Sequence, residues 1–172
     1  MINPDPKLKR ALSEKIRRRL SSSLEALGFS RAKTTFWIRP QEHTVEFVHL
    51  HLFSFAASFR VHLGIRVRND KFEAIALNGL HSLPGRYENG SRYNFRFTTK
   101  PETIDRCSSE LFRFVVERGE PWFHRFGHIE NLLELSDSPL NAEEKSCLKR
   151  AVDGVADSDN IAVSQKLLGL DR

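Results

Sequence analysis

Between Ser58 and Arg68 apolar and polar residues alternate without a break. Phe59, Val61, Leu63, Ile65 and Val67 fall on one side, and Arg60, His62, Gly64, Arg66 and Arg68 on the other. A period of two marks a half-buried strand, because successive side chains leave the backbone on opposite faces. Such a strand needs pairing partners and an apolar layer over its oily face. Residues 44–54 alternate Val45, Phe47, His49, His51 and Phe53 against Glu46, Val48, Leu50 and Leu52. Both sides are largely apolar, which predicts a central strand covered twice. Residues 34–40 predict a strand ending near Pro40, and residues 72–77 a shorter one after the Asn69-Asp70 turn. A loop holding Pro84, Gly85, Asn89 and Gly90 leads to a fifth, where Tyr93, Phe95 and Phe97 alternate with Arg92, Asn94 and Arg96.

Ahead of these segments the period is 3.6. Leu8, Leu12, Ile16, Leu20, Leu24 and Leu27 form one helical stripe, with Asn3 or Asp5 as cap, Pro6 in the first turn and Gly28 as stop. Its outer face carries Lys7, Lys9, Arg10, Lys15, Arg17, Arg18 and Arg19. Beyond the sheet, Ile104, Cys107, Leu111, Phe114 and Val115 predict a helix ending at Gly119, followed by a short aromatic helix over 120–126. Asn141 with Glu144 is spaced as a capping box for a tail helix, and Ile161, Val163, Leu167 and Leu168 predict a last one. The expected fold is α+β: an N-terminal helix, an antiparallel sheet of about five strands, and C-terminal helices packed on one face. The division expected is an α+β core over 1–135 and a helical extension over 136–172.

Composition narrows the class. With 40% hydrophobic and 28% charged residues, the 172-residue chain lies in the globular range rather than the disordered one. Its two cysteines, Cys107 and Cys147, are far apart and form no CxxC pair, no charged-then-apolar leader opens the sequence, and no apolar run is long enough to span a membrane. A reducing cytoplasm is the expected location. Residues 1–68 hold thirteen Lys/Arg against five Asp/Glu, whereas the remainder is acidic. That asymmetry is read either as a basic docking surface or as a basic segment facing the protein's own acidic helices.

Two constellations stand out. His49 and His51 share one side of their strand and could share a metal ion, with His62 as third ligand if the register allows. No fuller ligand set accompanies them, and they also fit a semi-polar groove. Arg60, His62, Arg66 and Arg68, with Arg92 and Arg96 from the fifth strand, would put several guanidinium groups on one face if the two strands share a sheet. Guanidinium forks match carboxylates and phosphates, so this face suits an acidic protein, a phosphorylated ligand or a nucleic-acid backbone. Tyr93, Phe95 and Phe97 point away from the arginines, which weakens the nucleic-acid reading. No nucleophile elbow, P-loop, dinucleotide fingerprint or HExxH pattern is present, and Cys107 lies on an apolar stripe. No catalytic residue and no cofactor are therefore expected.

Gly28-Phe29, Thr35-Phe36-Trp37, Phe59-x-Val61-x-Leu63-Gly64 and Pro121-Trp122-Phe123-x-x-Phe126 together resemble an uncharacterised bacterial domain of unknown function, 4304-like, over residues 5–130. The family pattern carries a polar residue, often an amide, before the Leu-Gly pair, where this chain has His62. The resemblance implies a bacterial α+β protein and carries over no catalytic residue. The leading expectation is a non-enzymatic module that binds an acidic protein partner through the arginine-rich sheet face or the basic first helix. Binding of nucleic acid or a phosphorylated ligand is the alternative, and a histidine metal site the weaker one.

Overall fold

The computed structural model describes residues 4–82 and 93–171. Helix α1 (Pro6–Glu25) starts where the Asp5 carboxylate accepts from the backbone N–H groups of Lys7 and Leu8, and Pro6 occupies the first turn. Asn3 lies outside the described residues. Ile16, Leu20 and Leu24 are fully buried, while Leu8, at the frayed end of the stripe, is exposed. Gly28 then takes a φ of 84°, and Phe29 packs back beneath it.

Four strands follow in an antiparallel meander, β1 (Ser30–Lys33), β2 (Phe36–Pro40), β3 (Thr44–Leu52) and β4 (Phe59–Val67), in the order β1-β2-β3-β4. The long β3–β4 ladder pairs Val48 with Leu63, Phe47 with Gly64 and His49 with His62. Strand β1 has no apolar alternation. It forms as a short edge strand because the Thr34-Thr35 turn folds it back onto β2. Trp37, Val48, Leu50, Val61, Leu63 and Ile65 make the covered face, against α1 and against α2 (Pro101–Phe114), whose Ile104, Cys107, Leu111 and Phe114 are buried. A π-helical turn (Val115–Gly119) leads into α3 (Glu120–Phe126), where Phe123 and Phe126 are buried, and then α4 (Ile129–Glu134).

The strand count is four rather than five, and each departure has a local cause. Residues 72–77 form no strand because their end of the chain wraps a buried cation. The Arg66 guanidinium donates to the carbonyls of Asp70, Phe72 and Ala74, so these groups are not available to a ladder. Residues 93–97 reach β4 only at its start, through a bridge between Ser58 and Arg96. The outer edge of β4 is closed piecewise instead. Phe59 N–H donates to Phe95 O, Leu63 N–H to Leu80 O, and Ser82 N–H to Val61 O, while the Asn78 amide pairs with both backbone groups of Ile65. A side-chain amide and two short segments thus occupy an edge that would otherwise attract another chain.

The C-terminal residues join this core. Helix α5 (Ala142–Val152) opens with the capping box of Asn141 and Glu144, and Cys147 and Leu148 enter the main core. Helix α6 (Ser158–Leu168) crosses to the other face of the sheet, where Leu168 is buried with Ile38, Val45 and Phe47. Asn69, just past β4, fastens both helices: its side chain donates to Cys147 O at 2.9 Å and accepts from Asp157 N–H at 2.8 Å. Among the described residues no helix is long and apolar enough to cross a membrane.

Candidate functional site: the open half of the sheet

Helix α6 covers one half of the second sheet face, and among the described residues no helix lies over the other, open half. Register fixes what stands there. Lys33 on β1 pairs with Phe36 on β2, Phe36 with His49 on β3, His49 with His62 on β4, and His62 with His81 beyond the edge. Cross-strand partners point to the same side, so these five residues form one row across the sheet. Its rings touch in sequence: Phe36 to His49 at 4.4 Å between centroids, His49 to His62 at 5.7 Å, His62 to His81 at 6.1 Å, all within 30° of parallel.

A second row lies beside the first. His51 pairs with Arg60, whose guanidinium sits 5.3 Å from the Phe53 ring centroid. Because Ser58 pairs with Arg96, the Arg96 side chain rises on the same side as Arg60, while Phe95 and Phe97 are buried underneath. Among the described residues, none of Lys33, Arg60 and Arg96 has a carboxylate within 4 Å, and the buried Nε of Arg60 has no hydrogen-bond partner. No acidic residue occupies this face of β2, β3 or β4.

The arginines expected to act together therefore separate. Arg60, His62 and Arg96 meet on the open half. Arg66 is 4% exposed and belongs to the fold: besides the three carbonyls, its Nε donates to Ser164 Oγ at 2.8 Å. Arg68 stands at the far end of β4, half-buried, roughly 26 Å along the strand from Arg60. Arg92 lies outside the described residues, as do Pro84, Gly85, Asn89 and Gly90 of the expected loop.

His49 and His62 do come together, but His51 makes its contacts elsewhere, edge-on to Phe53 at 5.4 Å. Among the described residues no group of three or more His, Cys, Asp or Glu side chains is placed to hold a metal ion. Both Cys107 and Cys147 are buried free thiols, and burial pushes Cys107 up to about 12, far from thiolate character at neutral pH.

Four of the seven basic residues on the outer face of α1 make contacts within the molecule, while Lys7, Arg10 and Lys15 are exposed. Lys9 Nζ donates to the carbonyls of Phe53 and Ser54, Arg17 is buried over Phe59, Arg18 meets Glu14, and Arg19 meets Asp105. An open cavity of about 400 Å³ at the β1 edge is lined by Glu14, Arg31, Ala32, Lys33 and Thr34. There Arg31 and Glu14 close on each other in a two-bond fork, at 2.8 and 2.9 Å.

Burial, then the neighbouring basic groups, lowers His49 and His62 from the ordinary 6.5 to about 4. Between about pH 6.5 and pH 4 the unfolded chain takes up protons at these positions and the folded chain does not. Their contribution to stability is complete above that window and is lost as pH falls through it. Urea midpoints measured from pH 7.5 to pH 5 should fall, and His49→Gln with His62→Gln should make the fall shallower. An unchanged slope in that variant would show that the pair does not contribute.

No family model matches this chain, and no curated protein or solved structure matches it either. The residues of the open half-face are thus read on their own chemistry. Hairpin arithmetic from the β3–β4 turn could have paired His49 with His62 in advance. His81 and Lys33 carried no such signal, because neither lies in an alternating segment.

Proposed function

We propose that the protein is a non-enzymatic interaction module that holds an acidic segment of a partner protein on the open half of its sheet. One observation carries the reading: Arg60 and Arg96 rise from adjacent chain segments beside four imidazoles and Lys33, with no acid on that face among the described residues. An anionic chain laid across it meets donors fixed by strand register rather than flexible surface lysines, so little order remains to be imposed on binding. Nucleic acid is the alternative. It is less well supported because the rings of the row stack on one another across the strands, whereas a single-strand platform offers its ring faces to bases. The resemblance to a bacterial family and a cytoplasmic location belong to the same proposal.

The test uses a labelled, end-blocked oligo-aspartate peptide and an oligo-dT of equal length, followed by fluorescence anisotropy at low salt. The peptide should bind, weaken as salt rises, and lose about tenfold or more in affinity when Arg60→Glu and Arg96→Glu are combined. Wild-type affinity in that double variant would refute the reading. Tighter binding of the oligonucleotide, lost in the same variant, would put nucleic acid in place of the acidic protein.

A further inference from the structure

The row of imidazoles has a chemical consequence beyond position. His49 and His62 stand between Phe36 and His81, and among the described residues every ionisable group that faces them is basic. Strand β1 contributes Lys33 and β3 contributes His51. Arg60 comes from β4, His81 from the segment beyond it, and Arg96 from the segment pairing at Ser58. Strand β2 turns only the uncharged Phe36 to the row, and α6, over the other half, turns Ser164 and Leu168 to the sheet. The Nδ1 of His49 is buried without a hydrogen-bond partner. Alone, such a cluster resists taking up protons, since each new positive charge is placed among others and away from water. An anion over the row reverses that balance.

We propose that the histidine row makes ligand binding at this surface proton-linked: an acidic segment docked over His49 and His62 is taken up together with protons, and affinity rises as pH falls below neutral. The inference rests on the docking reading above and adds its regulation. Both imidazoles are held neutral in the free protein, which leaves them room to gain charge when a carboxylate arrives. By linkage, whatever the anion does to proton affinity, protons do equally to anion affinity. Aspartate side chains titrate near 3.9 and stay ionised from pH 8 to pH 6, so the probe itself contributes no change.

The experiment measures oligo-aspartate affinity at constant ionic strength from pH 8 to pH 6, with calorimetry in two buffers of different ionisation enthalpy. Affinity should rise about fourfold or more across that range, as expected if a bound anion returns at least one imidazole to its ordinary titration range. Calorimetry should register net proton uptake. In His49→Gln with His62→Gln the ratio of the affinities at pH 6 and pH 8 should fall toward one, whatever affinity remains at pH 8. Binding that is flat with pH, or a slope unchanged in the variant, would overturn the linkage and leave the docking reading standing. Absence of peptide binding at every pH would remove the docking reading and the inference with it. Should the variant fail to fold, the two-buffer measurement on the unaltered protein decides alone: no proton uptake contradicts the linkage.

Discussion

Arg66→Ala should lower the unfolding free energy by about 3–5 kcal/mol, the scale of a buried charged network broken from one side. The guanidinium is 4% exposed and its donors are spent on the carbonyls of Asp70, Phe72 and Ala74 and on the Ser164 hydroxyl. Asp70, itself buried, lies 3.6 Å away as counter-charge. Removing the side chain leaves the carbonyls of Phe72 and Ala74 without this donor and the Asp70 carboxylate without its counter-charge, and it cuts a tie between β4 and α6. Urea denaturation of the purified variant measures the loss, and a change below about 1 kcal/mol would show that this cation does not hold α6 to the sheet. The distinction matters for function. Charge reversal at Arg66 would abolish any activity by unfolding the protein, so Arg60 and Arg96 are the positions at which docking has to be tested.

Gly79→Ala should cost about 3 kcal/mol, toward the upper end of overpacking penalties. A Cβ at this position would run into the Leu63 carbonyl and would lie 2.6 Å from Cη2 of Trp122. A flexible neighbour could yield, but backbone cannot. The 78–82 segment would have to leave the edge of β4, losing the bond from Leu63 N–H to Leu80 O and the amide clamp of Asn78 on Ile65. His81 would leave the row with it. Stability and the His62–His81 contact should therefore fall together, which histidine side-chain NMR signals compared with the urea midpoint would reveal. Loss of one without the other would show that the segment is not docked through this glycine. Gly64 is crowded as well: a Cβ there would run into the fully buried Phe47 ring and the Asn78 Oδ1 that accepts from Ile65 N–H.

Periodicity carried most of the architecture. The alternation over 58–68, the leucine stripe of α1 and the Asn141–Glu144 spacing each act through local geometry, and each reappears in the fold. What periodicity could not convey was how polar groups are satisfied at a distance. Residues 72–77 alternate well enough for a strand, yet Arg66 claims the carbonyls around them. Residues 93–97 alternate correctly and bury Phe95 and Phe97, but they share the β4 edge with Asn78, Leu80 and Ser82 and so form a single bridge rather than a ladder. The same limit divided the arginine row. Alternation put Arg60 and Arg66 on one side of the sheet, and α6, arriving nearly a hundred residues later, buried one and left the other.

Backbone amide NMR during titration with oligo-aspartate tests docking on the open half-face most directly. Perturbations should concentrate on Lys33, His49, His51, Arg60, His62, His81 and Arg96. Shifts centred instead on the exposed Lys7, Arg10 and Lys15 of α1, with the sheet face silent, would contradict it.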